Sequence, residues 1–254
     1  MKRKSWKPSK RLKMSKTAIY KELLLLLISS LLISCATLPG GKKDKKQFSY
    51  SYNTITVAEN LDYLETNIKY PEFADLPDLN KRIANTVMSN WRNFKGYSKS
   101  EWNEIASLNN RGNGKLSPFE YNVTFEVTGS NSIVSIILNT YIFNGGAHGN
   151  TSLISLNYDT STGKYLDAKT VSGLDYNALS EKCRAVLYKR LIDDDKTGMP
   201  PSEKDSIREM INTGAFPQAG NFEIFTVDGE KFYVWFEPYS VAPYSYGVQK
   251  VQIK

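Results

Sequence analysis

Two rhythms of apolar and polar residues divide this chain. Alternation with a period of two marks strands with one covered face. It runs through residues 48–57, 61–70, 119–127 and 151–158, and returns in 222–227, 231–237 and 248–253. Residues 132–143 are different. Ile133, Val134, Ile136, Ile137 and Leu138 are too apolar for a strand with a wet face, so this strand is expected to be central and covered on both sides. Turn chemistry separates the strands: Thr128-Gly129-Ser130-Asn131, residues 159–163, and Asp228-Gly229. After residues 159–163 turn the chain, 164–166 return it. Helical spacing appears after Asp75-Leu76-Pro77-Asp78, where Leu79, Ile83, Val87, Trp91 and Phe94 recur on one face. Gly96 is expected to stop that helix, and 101–108 either form a short helix or continue the first after a break. Asn109 to Gly114 reads as a loop. Leu179, Cys183, Val186, Leu187 and Leu191 line one face of a helix over 175–195, and Ser202 caps another over 202–211. Strands and a few helices are thus expected, in one large domain or two small ones.

The stretch with the most chemistry lies between two of the strands. Gly145-Gly146-Ala147-His148-Gly149 holds the only histidine of the chain. Glycine suits backbone that must take a positive φ or admit a close neighbour. The stretch is either a plain hairpin or the lip of a binding surface. A second candidate is Glu237-Pro238-Tyr239 through Pro243-Tyr244-Ser245-Tyr246. Tyrosine offers a flat apolar face with a polar tip, and proline stiffens the loop that carries it, reducing the entropy lost on binding. The candidate ligand-binding residues are Tyr141, Asn144, Gly145, Gly146, His148, Asn150, Glu237, Tyr239, Tyr244 and Tyr246.

Charge changes the picture only after the start of the chain is set apart. Nine Lys or Arg and one acid fall in the first 22 residues, followed by an apolar run over 23–33 and then Ser34-Cys35. Basic start, short apolar core and small residue are the parts of an export signal. The run is well short of the ~20 residues a spanning helix needs. The small residue before Cys35 resembles the bacterial lipoprotein signal, which implies a lipid anchor on Cys35 and an extracytoplasmic, membrane-attached protein, in the periplasm or at the cell surface. Met14 is an alternative start that leaves this unchanged. The whole chain is formally +7. Nine of its 33 basic and one of its 26 acidic residues precede Cys35, leaving 24 and 25 beyond it, so nothing in the balance points to nucleic acid. Lys42-Lys43-Asp44-Lys45-Lys46 is a basic patch suited to lipid head groups or to a solvated tether. The boundaries expected are a signal over 1–34 and a linker over 35–47, ahead of the folded region. With Cys35 used for lipid, Cys183 has no partner for a disulfide and reads as a core residue.

Three stretches together carry a resemblance. They are Ile68-Lys69-Tyr70-Pro71 with Asn80; the glycine turn with Asn157-Tyr158-Asp159 and Thr162-Gly163-Lys164; and residues 232–247. In this order they resemble the extracytoplasmic domain shared by RsiV-like lysozyme-sensing anti-sigma factors and PdaC-like peptidoglycan deacetylases. The resemblance implies an α+β fold, with antiparallel or mixed sheets and a few packed helices in two subdomains over 48–165 and 166–254, and a sensing or binding module beside the wall, here on a lipid tether. It also implies that deacetylation belongs to a separate metal-dependent domain. That chemistry needs several histidines and acids, and this chain has one histidine. No cofactor and no metal are expected.

Other chemistry is weaker. Ser152, His148 and Asp159 have no triad-like spacing, Glu237 and Asp159 are a conceivable carboxylate pair, and Asp193-Asp194-Asp195 lacks the spaced oxygens and glycine of a calcium loop. The expected function is binding of a wall-related ligand, either a peptidoglycan fragment or a lysozyme-like (muramidase-like) protein. Alternatives are a peptidoglycan hydrolase or deacetylase using His148 and a carboxylate, and a structural envelope protein with no small ligand.

Overall fold

The computed structural model describes residues 50–109 and 116–254. The proposed signal, Cys35 and the basic patch lie outside the described residues. The described chain is α+β. A six-stranded sheet runs in sequence order: β1 (Tyr52–Leu61), β2 (Leu64–Phe73), β3 (Phe119–Ser130), β4 (Ile133–Phe143), β5 (Asn150–Asp159) and β6 (Lys164–Tyr165). All its pairs are antiparallel except β2 with β3. A parallel pair needs a crossover, and the crossover is a single 33-residue helix, α1 (Pro77–Asn109).

Gly96 does not stop this helix. It is exposed, nothing lies within 4 Å of where its Cβ would be, and Phe94 and Ser98 on either side stay buried. A helical glycine costs about 1 kcal/mol against alanine, and the continuing apolar face outweighs that. The first hairpin also turns later than expected, at Asp62-Tyr63, since the polar residues of β1 belong to an edge strand with one exposed face. β2 continues through Pro71. Its pairing with β3 ends at Ile68, so the proline lies where that side is already an edge. Asn80 on α1 closes this end, donating to Phe73 O at 2.7 Å and accepting from Phe73 N at 2.8 Å.

One core lies between α1 and the sheet, with Leu64, Ile68, Leu79, Ile83, Phe94, Phe119 and Ile136 buried. A second is built by α3 (Tyr176–Tyr188), α4 (Pro201–Gly214) and the three-stranded antiparallel sheet β7 (Phe225–Asp228), β8 (Lys231–Phe236) and β9 (Gln249–Gln252). A short helix, α2 (Ala168–Ser172), precedes them, capped by Asp167 and ended by Gly173 at φ 68°. Asp175 caps α3 through Ala178 N, and α3 runs on into a π-helical turn, Lys189–Asp193. Ser202 is not the cap of α4. The cap position is Pro200 and the helix opens on Pro201, whose missing N–H is harmless in a first turn.

The two sheets meet at β4, β5 and β7. Ile137 and Leu153 pack on Trp235, while Val134, Ile136 and Leu138 face the first core, so β4 is covered on both sides as its composition requires. The backbone of β7 is met by side chains. Val227 N donates to Ser135 Oγ at 2.9 Å, Phe225 N donates to Ser155 Oγ at 3.1 Å, and Asn157 Nδ2 donates to Phe225 O at 2.9 Å. Ser135 in turn donates to Asn157 Oδ1.

Candidate functional site

The connection between β4 and β5 and the stretch after β8 come together at one end of this seam. Gly145, with φ 88°, sits over the C-terminal part of α1: a Cβ there would lie 3.4 Å from Phe119 and 3.5 Å from Ile105. Gly149 is buried under Tyr141, where a Cβ would stand 2.3 Å from Cζ of the ring. No residue larger than glycine fits without moving Tyr141 or the turn. His148 is exposed between these two constraints.

The tyrosine loop is seated from its own side. Glu237 is half-buried and its carboxylate accepts from Leu153 N at 2.6 Å, tying the end of β8 to β5. On the opposite side Gly214, at the end of α4, lies so close that a Cβ would meet Ser240 O at 2.0 Å. Between these points Tyr239 takes φ 68°, a left-handed backbone rare for a tyrosine, and its side chain is among the most exposed large ones at 55%.

The rings then assemble. His148 stacks on Tyr244 with centroids 3.9 Å apart and planes 17° from parallel. Tyr239 lies 5.6 Å from Tyr244 and 6.5 Å from His148, tilted by 35° and 34°. Tyr244 OH donates to Gly149 O at 2.8 Å, and His148 Nδ1 is 2.9 Å from the same carbonyl. A carbonyl only accepts, so these contacts fit the tautomer with the proton on Nδ1, in which Nε2 accepts from Tyr239 OH at 3.4 Å. Of the candidate residues, His148, Tyr239 and Tyr244 form the cluster, Gly145 and Gly146 shape the turn, and Tyr141 supports it. Asn144 and Asn150 are exposed at its two ends.

Tyr246 is placed elsewhere. It packs against the second core, and its phenol is raised by burial, with Glu203 and Asp195 adding to the effect. Glu237 is spent on Leu153 N. Asp159 is six residues from Leu153 along β5, about 20 Å at a strand's rise, well beyond the ~5–9.5 Å of a glycosidase pair. The same strand separates Asp159 from Ser152 and His148, which removes the triad. Asp159 instead accepts from Ser161 N, Ser161 Oγ and Thr162 Oγ1, and these bonds hold its carboxyl well below the usual range. Asp195 works the same way, accepting from Thr197 and Met199 N in its own loop. Among the described residues no group of three or more His, Cys, Asp or Glu is placed to hold a metal ion.

Gly149 and Gly214 are the residues a sequence reading undervalues. Neither has a positive φ, so their need for glycine comes only from a close neighbour, Tyr141 on the preceding strand for Gly149 and Ser240 for Gly214.

Comparison with known proteins places this arrangement. A family model described as deacetylase PdaC matches residues 57–151, and one described as a protein of unknown function, DUF3298, matches residues 174–254. The peptidoglycan-N-acetylmuramic acid deacetylase PdaC of Bacillus subtilis (strain 168) is 28% identical over 136 residues, 53% of this chain and 27% of the Bacillus protein. The chain thus spans about a quarter of that relative's length. Crystal structures of DUF3298 family proteins from Pseudomonas aeruginosa PAO1 and Bacteroides fragilis NCTC 9343 share the fold. Each is 18% identical, with TM-scores of 0.54 and 0.55, covering 82% of this chain and 91% and 92% of theirs. His148 falls in the first matched segment and Tyr239 and Tyr244 in the second. With both segments matched in sequence order, and with the fold shared, this chain resembles PdaC-like and DUF3298 domain proteins.

Proposed function

We propose that this protein is a cell-envelope binding module whose surface for a wall-related ligand is the cluster of His148, Tyr239 and Tyr244. The observation that carries the reading is Tyr239: a ring 55% exposed on a backbone at φ 68°. Such backbone costs of order 1–3 kcal/mol and persists where its surroundings impose it, commonly at binding sites. Here Gly214 against Ser240 and Glu237 against Leu153 N fix the chain on either side of it, and the result is an aromatic face held out to solvent.

The ligand is a peptidoglycan fragment or a lysozyme-like protein. The wall association rests on the matched family segments and on what the Bacillus relative is named for. The leader supports an extracytoplasmic place with lipid on Cys35, and among the described residues no helix is long and apolar enough to cross a membrane. Retention on insoluble peptidoglycan and on immobilised lysozyme tests the reading. It expects one of the two to hold the native chain and release Tyr239→Gly, and it fails where neither holds more than a denatured control. Loss of detergent-phase partitioning in Cys35→Ala tests the anchor.

A further inference from the structure

The chemistry of the cluster narrows its ligand further, on the reading just given. Residues 144–150 and 237–247 contain no Lys or Arg, and their one acid, Glu237, is turned inward to Leu153 N at 2.6 Å. The two loops therefore present aromatic rings without a committed charge. Tyr244 is covered by the imidazole at 3.9 Å, so the open ring is that of Tyr239. Beside it, Gly145, Gly146 and Ala147 present almost no side-chain bulk, with the exposed amides of Asn144 and Asn150 at either end. The contact from Tyr239 OH to His148 Nε2 is long at 3.4 Å, and a ligand hydroxyl can replace it at little cost.

A peptide stem bearing carboxylates finds no cation within these two loops, and their exposed side chains are aromatic and amide more than aliphatic. A pyranose fits. Its C–H face is weakly positive and meets the negative face of an aromatic ring. Its hydroxyls and amide substituents are neutral partners for asparagine amides and exposed backbone. We propose that Tyr239 is the stacking platform for an N-acetylhexosamine glycan, the sugar backbone of the wall and not its peptide.

The single histidine makes the test direct, since its imidazole protons give one set of NMR signals, displaced by the ring current of Tyr244. The full-length chain in mild detergent is titrated with N-acetylglucosamine tetramer, with cellotetraose, which has the same ring face and no acetamide, and with the free stem peptide. The tetramer is expected to move the imidazole signals and cellotetraose to bind several-fold more weakly, while the peptide leaves them unmoved. Tyr239→Gly relieves the left-handed backbone, so it keeps the fold, and it is expected to weaken tetramer binding tenfold or more. Tyr239→Trp restores it. Equal binding of cellotetraose overturns the acetamide preference. A larger response to the peptide, or no effect of Tyr239→Gly, overturns the platform. If lysozyme or whole peptidoglycan is held through Tyr239 and the tetramer is not, the glycan assignment falls and the binding reading stands. If nothing is held through Tyr239, both fall.

Discussion

A methyl group added at Gly149 would stand 2.3 Å from Cζ and 2.5 Å from the hydroxyl oxygen of Tyr141. The backbone there is ordinary, so Gly149→Ala tests close approach alone. Overpacking of this kind costs about 1–3 kcal/mol, and denaturant titration is expected to show a loss in that range. The imidazole signals should also lose their ring-current displacement, because a shifted Gly149 carbonyl no longer holds Tyr244 over His148. A loss of stability with the displacement intact would show that Tyr141 yields instead of the turn. Cys183 is the opposite case. It is fully buried on α3, and burial pushes its thiol up to about 12. A thiol reagent is expected to leave it unlabelled in the native chain and to label it at the unfolding rate. At this scale the chain was legible wherever a residue acts on its own neighbours. The glycine turn and the tyrosine loop announce themselves by composition, and Cys183 by its place on an apolar face. The inward carboxylate of Glu237, and Tyr246 turned to the second core, depend on partners 84 residues or more away or on another element, which no local pattern records.

Elements were most legible where one face repeats. The spacing of Leu79, Ile83, Val87 and Phe94 marks α1, and Leu179, Cys183 and Leu187 mark α3. Boundaries were not, because a glycine or a serine has two uses. Gly96 looks like a stop and sits inside α1 in open space. Gly96→Ala is therefore expected to raise stability by up to about 1 kcal/mol in urea melts, whereas a true stop with a left-handed backbone would be damaged by the same change. Ends of helices also carry charge. Asp195, just beyond the π-helical turn, is lowered from 3.8 to about 2, first by Thr197 and then by Met199 N and Lys204. A carboxyl whose folded pKa is depressed contributes stability above its unfolded value and loses it as the pH falls. Asp195→Asn is expected to be less stable than the parent at neutral pH, with the difference closing between 3.8 and about 2. A difference that stays constant over that window would mean that the Asp195 carboxyl is no more acidic in the folded chain than in the unfolded one.

For the molecule as a whole, the question is whether the two sheets behave as one body, since the cluster exists only while they stay together. A sequence pattern can assign each strand a face, but it cannot say that the free backbone of β7 will be met by Ser135, Ser155 and Asn157 from β4 and β5. Those three read as ordinary polar positions of strands. Asn157 is the centre of the seam, 3% exposed, donating to Phe225 O and accepting from Ser135. Asn157→Leu keeps the volume close and strips the side-chain hydrogen bonds, leaving the buried Phe225 carbonyl without its donor and the Ser135 proton without its acceptor at about 1–3 kcal/mol each, while Ser135 Oγ still accepts from Val227 N. Asn157→Asp keeps the acceptor for Ser135 but sets a carboxylate oxygen against Phe225 O, so it adds the cost of a buried charge and is expected to be the more damaging of the two at neutral pH. In urea, Asn157→Leu is expected to lower the midpoint while the imidazole signals of the first sheet and the overall circular dichroism still change together, because Ile137, Leu153 and Trp235 continue to join the sheets. Two separate transitions would mean that the seam was the main link, and that Tyr239 and His148 part before either sheet unfolds. An unmoved midpoint would mean that water replaces Asn157 and that the apolar contact alone aligns the two loops.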